Sequence, residues 1–247
     1  AVHCHMQASS MFNGDFFVSA GAPNGNKILT LVDATGHGLA AAISVLPLVS
    51  TIRAMVRKGL SLSHIAHEIN TKLYNEIPDD RFVAGIGVEF DPHRNEISIF
   101  NAGMPEVLLL DADCNILQQI KSKSMPLGIL EAQDFSPNIE TIKADKGLFL
   151  LLYSDGLIEQ ESATNTLFGK KNLEQVINQC QTPTELVNDL VKAFEQHTGE
   201  QPVTDDVSIC CINLDLLQEP SELANASMEN TQLGDLNFSL DLDGTLL

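Results

Sequence analysis

Four short acidic motifs recur along the chain, and each lies at or near the end of an apolar run. In chain order they are Asn13-Gly14-Asp15-Phe16-Phe17, Asp33-Ala34-Thr35-Gly36-His37-Gly38, Ser154-Asp155-Gly156 and Thr204-Asp205-Asp206. Such runs are typical of strands, so the pattern places an aspartate beside four different strands. A fold that gathers these strand ends would bring several carboxylates together. Carboxylate oxygens are the ligands that hard divalent cations prefer.

The composition fits one large domain and argues against two classes of partner. The chain has 247 residues, 44% of them hydrophobic, which is enough for a sizeable core. Its 14 basic and 33 acidic residues give a net charge of −19, which disfavours non-specific nucleic-acid binding and an anionic membrane surface. No apolar run approaches the roughly 18 residues of a membrane span, and no signal peptide is visible. We therefore expect a cytoplasmic protein.

The cysteines follow no recognisable pattern. They are Cys4, Cys114, Cys180, Cys210 and Cys211. Their odd number and irregular spacing resemble neither a zinc site nor a disulfide framework. We expect small buried hydrophobes in a reducing compartment, with Cys210 and Cys211 on opposite faces of one strand.

The predicted elements alternate between groups of strands and pairs of helices. The predicted strands cover 16–21, 27–33, 82–90, 96–101, 106–111, 114–120, 147–153 and 207–214. The predicted helices cover 39–58, a segment capped by Ser61 and closed at Pro78, a segment through Leu173 and Cys180, and one starting at Thr182. Pro47 lies inside the first helix, where we expect a kink or a break. The order favours an α+β fold in which antiparallel sheets form a sandwich with helices outside.

The four aspartates Asp15, Asp33, Asp155 and Asp205 would suit a centre of two divalent ions. Such a centre can activate a water and clamp phosphate oxygens. His37 follows Asp33 in a glycine-flanked turn and is the candidate to protonate a leaving group, although a structural or exposed histidine is the alternative. For the aspartates, the alternative is turn and helix-cap chemistry. One of two adjacent aspartates usually points away, so we expect Asp206 to support the site rather than to bind.

As an ordered set, the motifs resemble the PPM family of metal-dependent serine/threonine phosphatases, and most of all its bacterial SpoIIE-like branch. The similarity extends from about residue 8 to 214. The matching pieces are Gly14-Asp15-Phe16-Phe17, Asp33-Ala34-Thr35-Gly36-His37-Gly38, Asn101-Ala102-Gly103-Met104-Pro105, Pro126-Leu127-Gly128, Ser154-Asp155-Gly156-Leu157-Ile158-Glu159 and Asp205-Asp206-Val207-Ser208. Any one of these pieces alone would be weak evidence.

The resemblance implies a four-layer α-β-β-α sandwich with a centre of two Mn²⁺ or Mg²⁺ ions at one end of the sheets. The implied metal ligands are Asp15, Asp33, Asp155 and Asp205, with the backbone carbonyl of Ala34. Asp33, Asp155 and His37 are the implied catalytic residues. Gly36, Gly38, Asn101, Gly156 and Asp206 are expected to surround and support them.

The resemblance also implies a role in bacterial signalling. Relatives in this branch remove phosphate from serine or threonine of small anti-sigma-factor antagonist proteins, by attack of a metal-activated water. Their catalytic domains often follow a receiver (response-regulator) or other sensory domain, as in two-component signalling. The helices between Leu39 and Pro78 resemble those that couple regulation to the metal site.

The chain departs from the pattern of the branch in three places. Asn13 stands where a second glycine is common, and Val18 stands where another acid is common. The usual first strand is expected upstream of Ala1. The loss of an acid at Val18 leaves a second hypothesis open, in which the domain is a catalytically weak pseudophosphatase that acts as a regulated docking module.

We expect a phosphatase domain over residues 1–214 and a polar linker over 215–235. Residues 236–247 would begin a further domain or form a disordered tail. The tail contains Asp241-Leu242-Asp243-Gly244-Thr245, which matches the opening motif of haloacid-dehalogenase-type phosphatases. That fold needs well over a hundred further residues, so we interpret the match as chance similarity.

Overall fold

The computed structural model describes residues 1–10, 13–36, 39–78 and 81–217. His37, Gly38 and the predicted tail from residue 236 lie outside these residues, as does all of the predicted linker except its first three positions. In chain order the strands are β1 (Val2–Gln7), β2 (Asp15–Gly21), β3 (Lys27–Ala34), β4 (Val83–Asp91), β5 (Glu96–Ala102), β6 (Val107–Leu110), β7 (Ile116–Ile120), β8 (Ile139–Lys143), β9 (Phe149–Tyr153) and β10 (Val207–Asn213). The helices are α1 (Leu39–Arg57), α2 (Leu62–Glu76), α3 (Asp155–Glu159), α4 (Gly169–Gln179), α5 (Leu186–Thr198) and α6 (Leu214–Leu217).

The strands form two five-stranded sheets. One sheet, here called sheet A, has the order β1-β10-β9-β6-β7, and the other, sheet B, has the order β2-β3-β4-β5-β8. Every pairing between neighbouring named strands is antiparallel. Three hydrophobic clusters fill the spaces between successive layers. One packs sheet B against α1 and α2, one lies between the two sheets, and one packs sheet A against α4 and α5. This arrangement confirms the predicted α-β-β-α sandwich.

Most of the predicted elements are present for the predicted reasons. α2 begins after Ser61, whose hydroxyl accepts a hydrogen bond from the backbone N–H of His64, and its apolar stripe is buried against sheet B. β9 is buried at all five positions, as expected of a central strand covered on both faces. Cys210 and Cys211 belong to different core clusters and so face opposite sides of β10.

Two predictions about helices need correction. α1 continues from Leu39 through Pro47 to Arg57 as one helix, so the predicted break at the proline is absent. The hydroxyls of Ser50 and Thr51 both donate to the Pro47 carbonyl oxygen, at 3.0 and 2.8 Å. α5 begins at Leu186 rather than at Thr182, because the preceding residues form a tight turn in which the Glu185 N–H donates to the Thr182 carbonyl.

Four elements were not predicted: the edge strands β1 and β8, and the short helices α3 and α6. The edge strands carry polar residues on one or both faces and lack a long apolar run, so their sequences give only a weak strand signal. β1 places Cys4 directly opposite Cys210 on β10, and the two form a disulfide. The expectation of unpaired cysteines is therefore wrong for this pair. Cys114, Cys180 and Cys211 are buried free thiols, as predicted.

Over the ranges that the structure describes, no helix is both long enough and apolar enough to cross a lipid bilayer.

Candidate active site

Sheet B brings two of the four predicted aspartates side by side. Asp15 is the first residue of β2, and it lies directly opposite Asp33 near the end of β3. Leu31 shares the face of Asp33 and belongs to the cluster between the sheets, so both carboxylates project from sheet B toward sheet A. Asp15 is only 2% exposed. The antiparallel register thus builds a pair of carboxylates at one end of the sandwich.

Sheet A supplies the other two aspartates at the same end. Asp155 is the first residue of α3 and follows β9, while Asp205 lies just before β10. Because β9 and β10 are antiparallel neighbours, the end of one strand lies beside the start of the other. The structure therefore places Asp155 and Asp205 close to each other, near enough for Asp205 to raise the pKa of Asp155.

Hydrogen bonds hold the turn that carries Asp155 against the start of β10. The Ser154 hydroxyl accepts from the Ser208 N–H at 2.8 Å and donates to the Asp206 carbonyl oxygen at 3.2 Å. A Cβ added at Gly156 would overlap that same carbonyl oxygen, so only glycine fits there at the observed spacing. The requirement for glycine at position 156 is therefore steric, and its supporting role in the site stays a prediction.

The local electrostatics are those of crowded, desolvated carboxylates. Burial, with a contribution from Asp206 and Asp155, raises the pKa of Asp15 to about 7. Burial and the neighbouring acids, chiefly Asp15, raise the pKa of Asp33 to about 9. Burial and Asp205 also raise the pKa of Asp155. The carboxylates of both sheets thus interact with one another and destabilise one another's charged forms.

The chemistry of these side chains suits the binding of a divalent cation. Among the described residues, neither carboxylate oxygen of Asp15 has a partner at full hydrogen-bonding geometry, although buried polar groups normally have one. The hydroxyls of Ser154 and Ser208 lie near enough to offset part of the rise in its pKa. The donors are oxygens, which Mg²⁺ and Mn²⁺ prefer. Among the residues described here, no three such side chains already converge closely enough to hold one ion.

Asp206 makes contacts unlike those of its neighbour Asp205. Its carboxylate accepts hydrogen bonds from the backbone N–H and the hydroxyl of Ser9, at 2.7 and 2.9 Å, and from the Gly14 N–H at 2.5 Å. Its own N–H donates to Asp205 Oδ1 at 2.8 Å. With both of its oxygens engaged in this way, Asp206 is suited to support the site rather than to bind a ligand.

The remaining predicted residues occupy varied positions. Gly36 has a φ of +83°, which favours glycine for conformational reasons alone. Ala34 ends β3 beside Asp33. Asn101 is buried on β5, where its amide donates to the Pro105 carbonyl at 2.7 Å and its Oδ1 has no partner. The roles of His37 and Gly38 remain predictions from the sequence.

The two departures near Asp15 have structural explanations. The side chain of Asn13 accepts a hydrogen bond from the Asp15 N–H at 2.8 Å and so helps to begin β2. Val18 belongs to the cluster beneath α1 and α2, on the face opposite Asp15. An acid at position 18 would therefore point into that core rather than toward the other carboxylates.

Sequence reasoning missed Ser9 and Ser154 as residues of the site. Both act through hydrogen bonds to residues more than fifty positions away, so no local pattern marks them. The available signal was the buried serine directly before Asp155 in the third motif.

The fold and the carboxylates at one end of its sheets define a PPM-type phosphatase domain. Residues 23–215 match the family described as Stage II sporulation protein E (SpoIIE), so the chain belongs to the SpoIIE family. Together with the relatives below, this match confirms the predicted family, fold and class of enzyme.

One relative and two solved structures illustrate the similarity. Phosphoserine phosphatase RsbP from Bacillus subtilis (strain 168) is 25% identical over 162 residues, which cover 64% of this chain and 40% of RsbP. The SiaA-PP2C domain of Pseudomonas aeruginosa superposes with a TM-score of 0.74 at 17% identity, covering 86% of this chain and 85% of that domain. The structure of the PP2C phosphatase domain and a fragment of the regulatory domain of SpoIIE from Bacillus subtilis gives a TM-score of 0.73 at 14% identity, covering 85% of this chain and 62% of the other. The chain thus spans less than half of the length of RsbP.

Proposed function

We propose that this domain is an active, metal-dependent phosphatase that removes phosphate from serine or threonine of a protein in a bacterial signalling pathway. The observation that carries the proposal is the cluster of buried carboxylates, in which Asp15 has no partner at full hydrogen-bonding geometry among the described residues and Asp33 interacts with Asp15, Asp155 and Asp205. Buried acids that repel one another lower the free energy of unfolding, so a cluster with a purely structural role would only destabilise the domain. A cation-binding site explains why the cluster is there.

The ligands would be Asp15 and Asp33 from sheet B and Asp155 and Asp205 from sheet A, with the Ala34 carbonyl. Bound Mn²⁺ or Mg²⁺, in our proposal two ions, would lower the pKa of a water and neutralise phosphate oxygens. Asp33 and Asp155 would face the reacting groups from opposite sheets. Because the sheets hold these side chains on rigid strand ends, they orient the reactants with little loss of entropy.

His37 would complete the reaction as the proton donor. It follows Asp33 by four residues in a glycine-flanked segment, and a histidine is the usual general acid near neutral pH. In this role it protonates the serine or threonine oxygen as that oxygen leaves phosphorus. No covalent bond to the protein is formed.

A phosphoprotein substrate, rather than a small phosphate ester, is proposed from the family. RsbP is named a phosphoserine phosphatase, and the branch acts on anti-sigma-factor antagonists, so a protein of that kind is the proposed partner. RsbP is much longer than this chain, and the SpoIIE structure includes a fragment of a regulatory domain. We accordingly propose a receiver or sensory domain upstream and a cytoplasmic location.

The test measures hydrolysis of p-nitrophenyl phosphate and of a phosphoserine protein, with and without Mn²⁺, by the wild type and by Asp155→Asn. We expect turnover that requires Mn²⁺ and that falls by at least about a hundredfold in the variant, since a ligand contributes more than its outer partners. Asp113→Asn, in an exposed turn, is the matched control and should retain full activity.

A wild type that binds Mn²⁺ yet hydrolyses neither substrate would contradict the proposal. That result would favour the pseudophosphatase, which docks a partner without turnover. Full activity in Asp155→Asn would instead overturn the assignment of the ligands.

A further inference from the structure

The two pairs of carboxylates belong to different sheets, so something must set the gap between them. Asp15 and Asp33 are carried by sheet B, whereas Asp155 and Asp205 flank strands of sheet A. A large apolar cluster packs between the sheets, and its contacts are non-directional. A site for small cations needs its ligands placed to within a fraction of an ångström.

Asp206 provides a directional link between the sheets at this end. It lies just before β10 of sheet A and is 3% exposed, and it accepts from the N–H of Gly14, the residue before β2 of sheet B. Ser9, in the same connection between β1 and β2, contributes two more donors to the same carboxylate. Hydrogen bonds to a charged acceptor are among the stronger ones in proteins.

The link continues to a carboxylate pair on each side. Toward sheet A, the Asp206 N–H donates to Asp205 Oδ1 at 2.8 Å. Toward sheet B, the Gly14 peptide precedes Asp15, and its carbonyl accepts from the Ala34 N–H at 3.4 Å, next to Asp33. A continuous path of bonds therefore joins Asp205 to the backbone that carries Asp15 and Asp33.

We propose that Asp206 is a positioning residue that sets the separation of the two carboxylate pairs, and thereby the affinity of the site for its divalent cations. This inference rests on the proposed function only in that it assumes a cation site between the sheets. It assigns to Asp206 no contact with metal or substrate. The carboxylate acts through Gly14 and Ser9.

The test compares Mn²⁺ binding by Asp206→Asn and Asp206→Ala with binding by the wild type, using calorimetry and the electron paramagnetic resonance signal of free Mn²⁺. Asparagine keeps the shape but cannot accept from both Ser9 and Gly14, because its amide nitrogen is a donor. We expect both variants to bind Mn²⁺ about 10–100-fold more weakly, as is usual when an outer partner of metal ligands is removed. Their maximal turnover of p-nitrophenyl phosphate at saturating Mn²⁺ should fall much less than their affinity.

Asp215 offers a matched control. Its carboxylate also accepts a backbone N–H, that of Gly147 at 3.0 Å, but at the opposite end of β10 from the site. Asp215→Asn should lower the melting temperature in EDTA, because it too loses a charged acceptor for a backbone N–H, yet it should leave Mn²⁺ affinity unchanged. Ser9→Ala removes one of the three donors to Asp206 and should weaken Mn²⁺ binding slightly, which keeps the proposal testable if Asp206→Ala does not fold.

Unchanged Mn²⁺ affinity in Asp206→Asn would overturn the inference, as would an equal loss in Asp215→Asn. The proposed function fails separately, if the wild type binds Mn²⁺ but shows no turnover. In that case the comparison of affinities still decides the role of Asp206.

Discussion

The environment of Asp33 should have a clear effect on how the stability of the metal-free domain depends on pH. Its pKa is raised to about 9 and that of Asp15 to about 7, both mainly by burial. Between the ordinary carboxyl pKa of about 4 and these values, the folded metal-free state holds protons that the unfolded state has lost. The contribution of both groups to the free energy of unfolding is therefore most favourable below about pH 4 and declines as pH rises toward 9.

We predict that Asp33→Asn stabilises the metal-free domain while it nearly abolishes hydrolysis. Asparagine cannot become charged, so the variant should have a higher melting temperature than the wild type in EDTA at about pH 8. The difference should shrink toward about pH 5, where Asp33 is protonated in the folded state. Melting curves across this range are the measurement, and parallel curves for the two proteins would contradict the prediction.

At the residue scale, the sequence marked the four aspartates that cluster at one end of the sheets more clearly than it marked the residues that contact them. Asp15, Asp33, Asp155 and Asp205 were predictable because each follows or precedes an apolar run, a pattern confined to a few positions. The contacts of Asp206 with Ser9 and Gly14 were not, because they join residues 197 and 192 positions apart. Such contacts depend on the order of strands in the sheets, which no local pattern in the sequence reveals.

The short helix α3 joins sheet A to the site through the close packing of Gly156 on the chain before β10. A side chain at position 156 would overlap the Asp206 carbonyl oxygen, and either α3 or that segment would have to move. We predict that Gly156→Ala lowers the free energy of unfolding by roughly 1–3 kcal/mol, the usual cost of overpacking. It should also weaken Mn²⁺ binding.

Urea denaturation in EDTA measures the first effect and calorimetry the second. Gly21→Ala is the matched control, because a Cβ at Gly21 meets no atom within 4 Å. This control should change the free energy of unfolding by less than about 1 kcal/mol. Equal stability of Gly156→Ala and Gly21→Ala would show that the packing at position 156 can relax.

At the scale of elements, prediction succeeded where burial is one-sided or complete. α2 has an apolar stripe and a serine cap, and β9 is an uninterrupted apolar run, so both were identified. β1 and β8 lie at sheet edges and carry histidine, glutamate or lysine among their apolar residues. Their pairing partners, rather than their own sequences, make them strands.

The disulfide between Cys4 and Cys210 closes nearly the whole domain into a loop, since 206 residues separate its ends. The chain-entropy relation for a loop of this length gives a contribution of about 5 kcal/mol to the free energy of unfolding. We predict that a thiol reductant lowers the melting temperature of the oxidised wild type. Cys4→Ser should melt at the lower temperature with or without reductant.

Cys114→Ser is the control, because it removes a buried thiol without removing a covalent link. Its melting temperature should retain the response to reductant. If the wild type shows no such response although mass spectrometry detects the disulfide, the estimated contribution would be wrong.

The tail provides a prediction for the full chain. Asp241 begins the segment that matches haloacid-dehalogenase-type phosphatases and lies outside the described residues. We predict that Asp241→Asn leaves the rate of p-nitrophenyl phosphate hydrolysis unchanged, because the chemistry belongs to the sandwich. A tenfold loss in this variant, with Mn²⁺ saturating, would give the tail a catalytic role.

The pairing of β1 with β10 has a further consequence for how the domain can be connected to others. The Asn213 N–H donates to the Ala1 carbonyl oxygen at 2.7 Å, so the start of β1 and the end of β10 lie side by side. That meeting point is at the end of β10 farthest from Asp205. A polypeptide that precedes β1 or follows β10 would therefore be attached at the end of the sandwich opposite the carboxylates. Such a polypeptide would have to run the length of the sandwich before it reached the carboxylates.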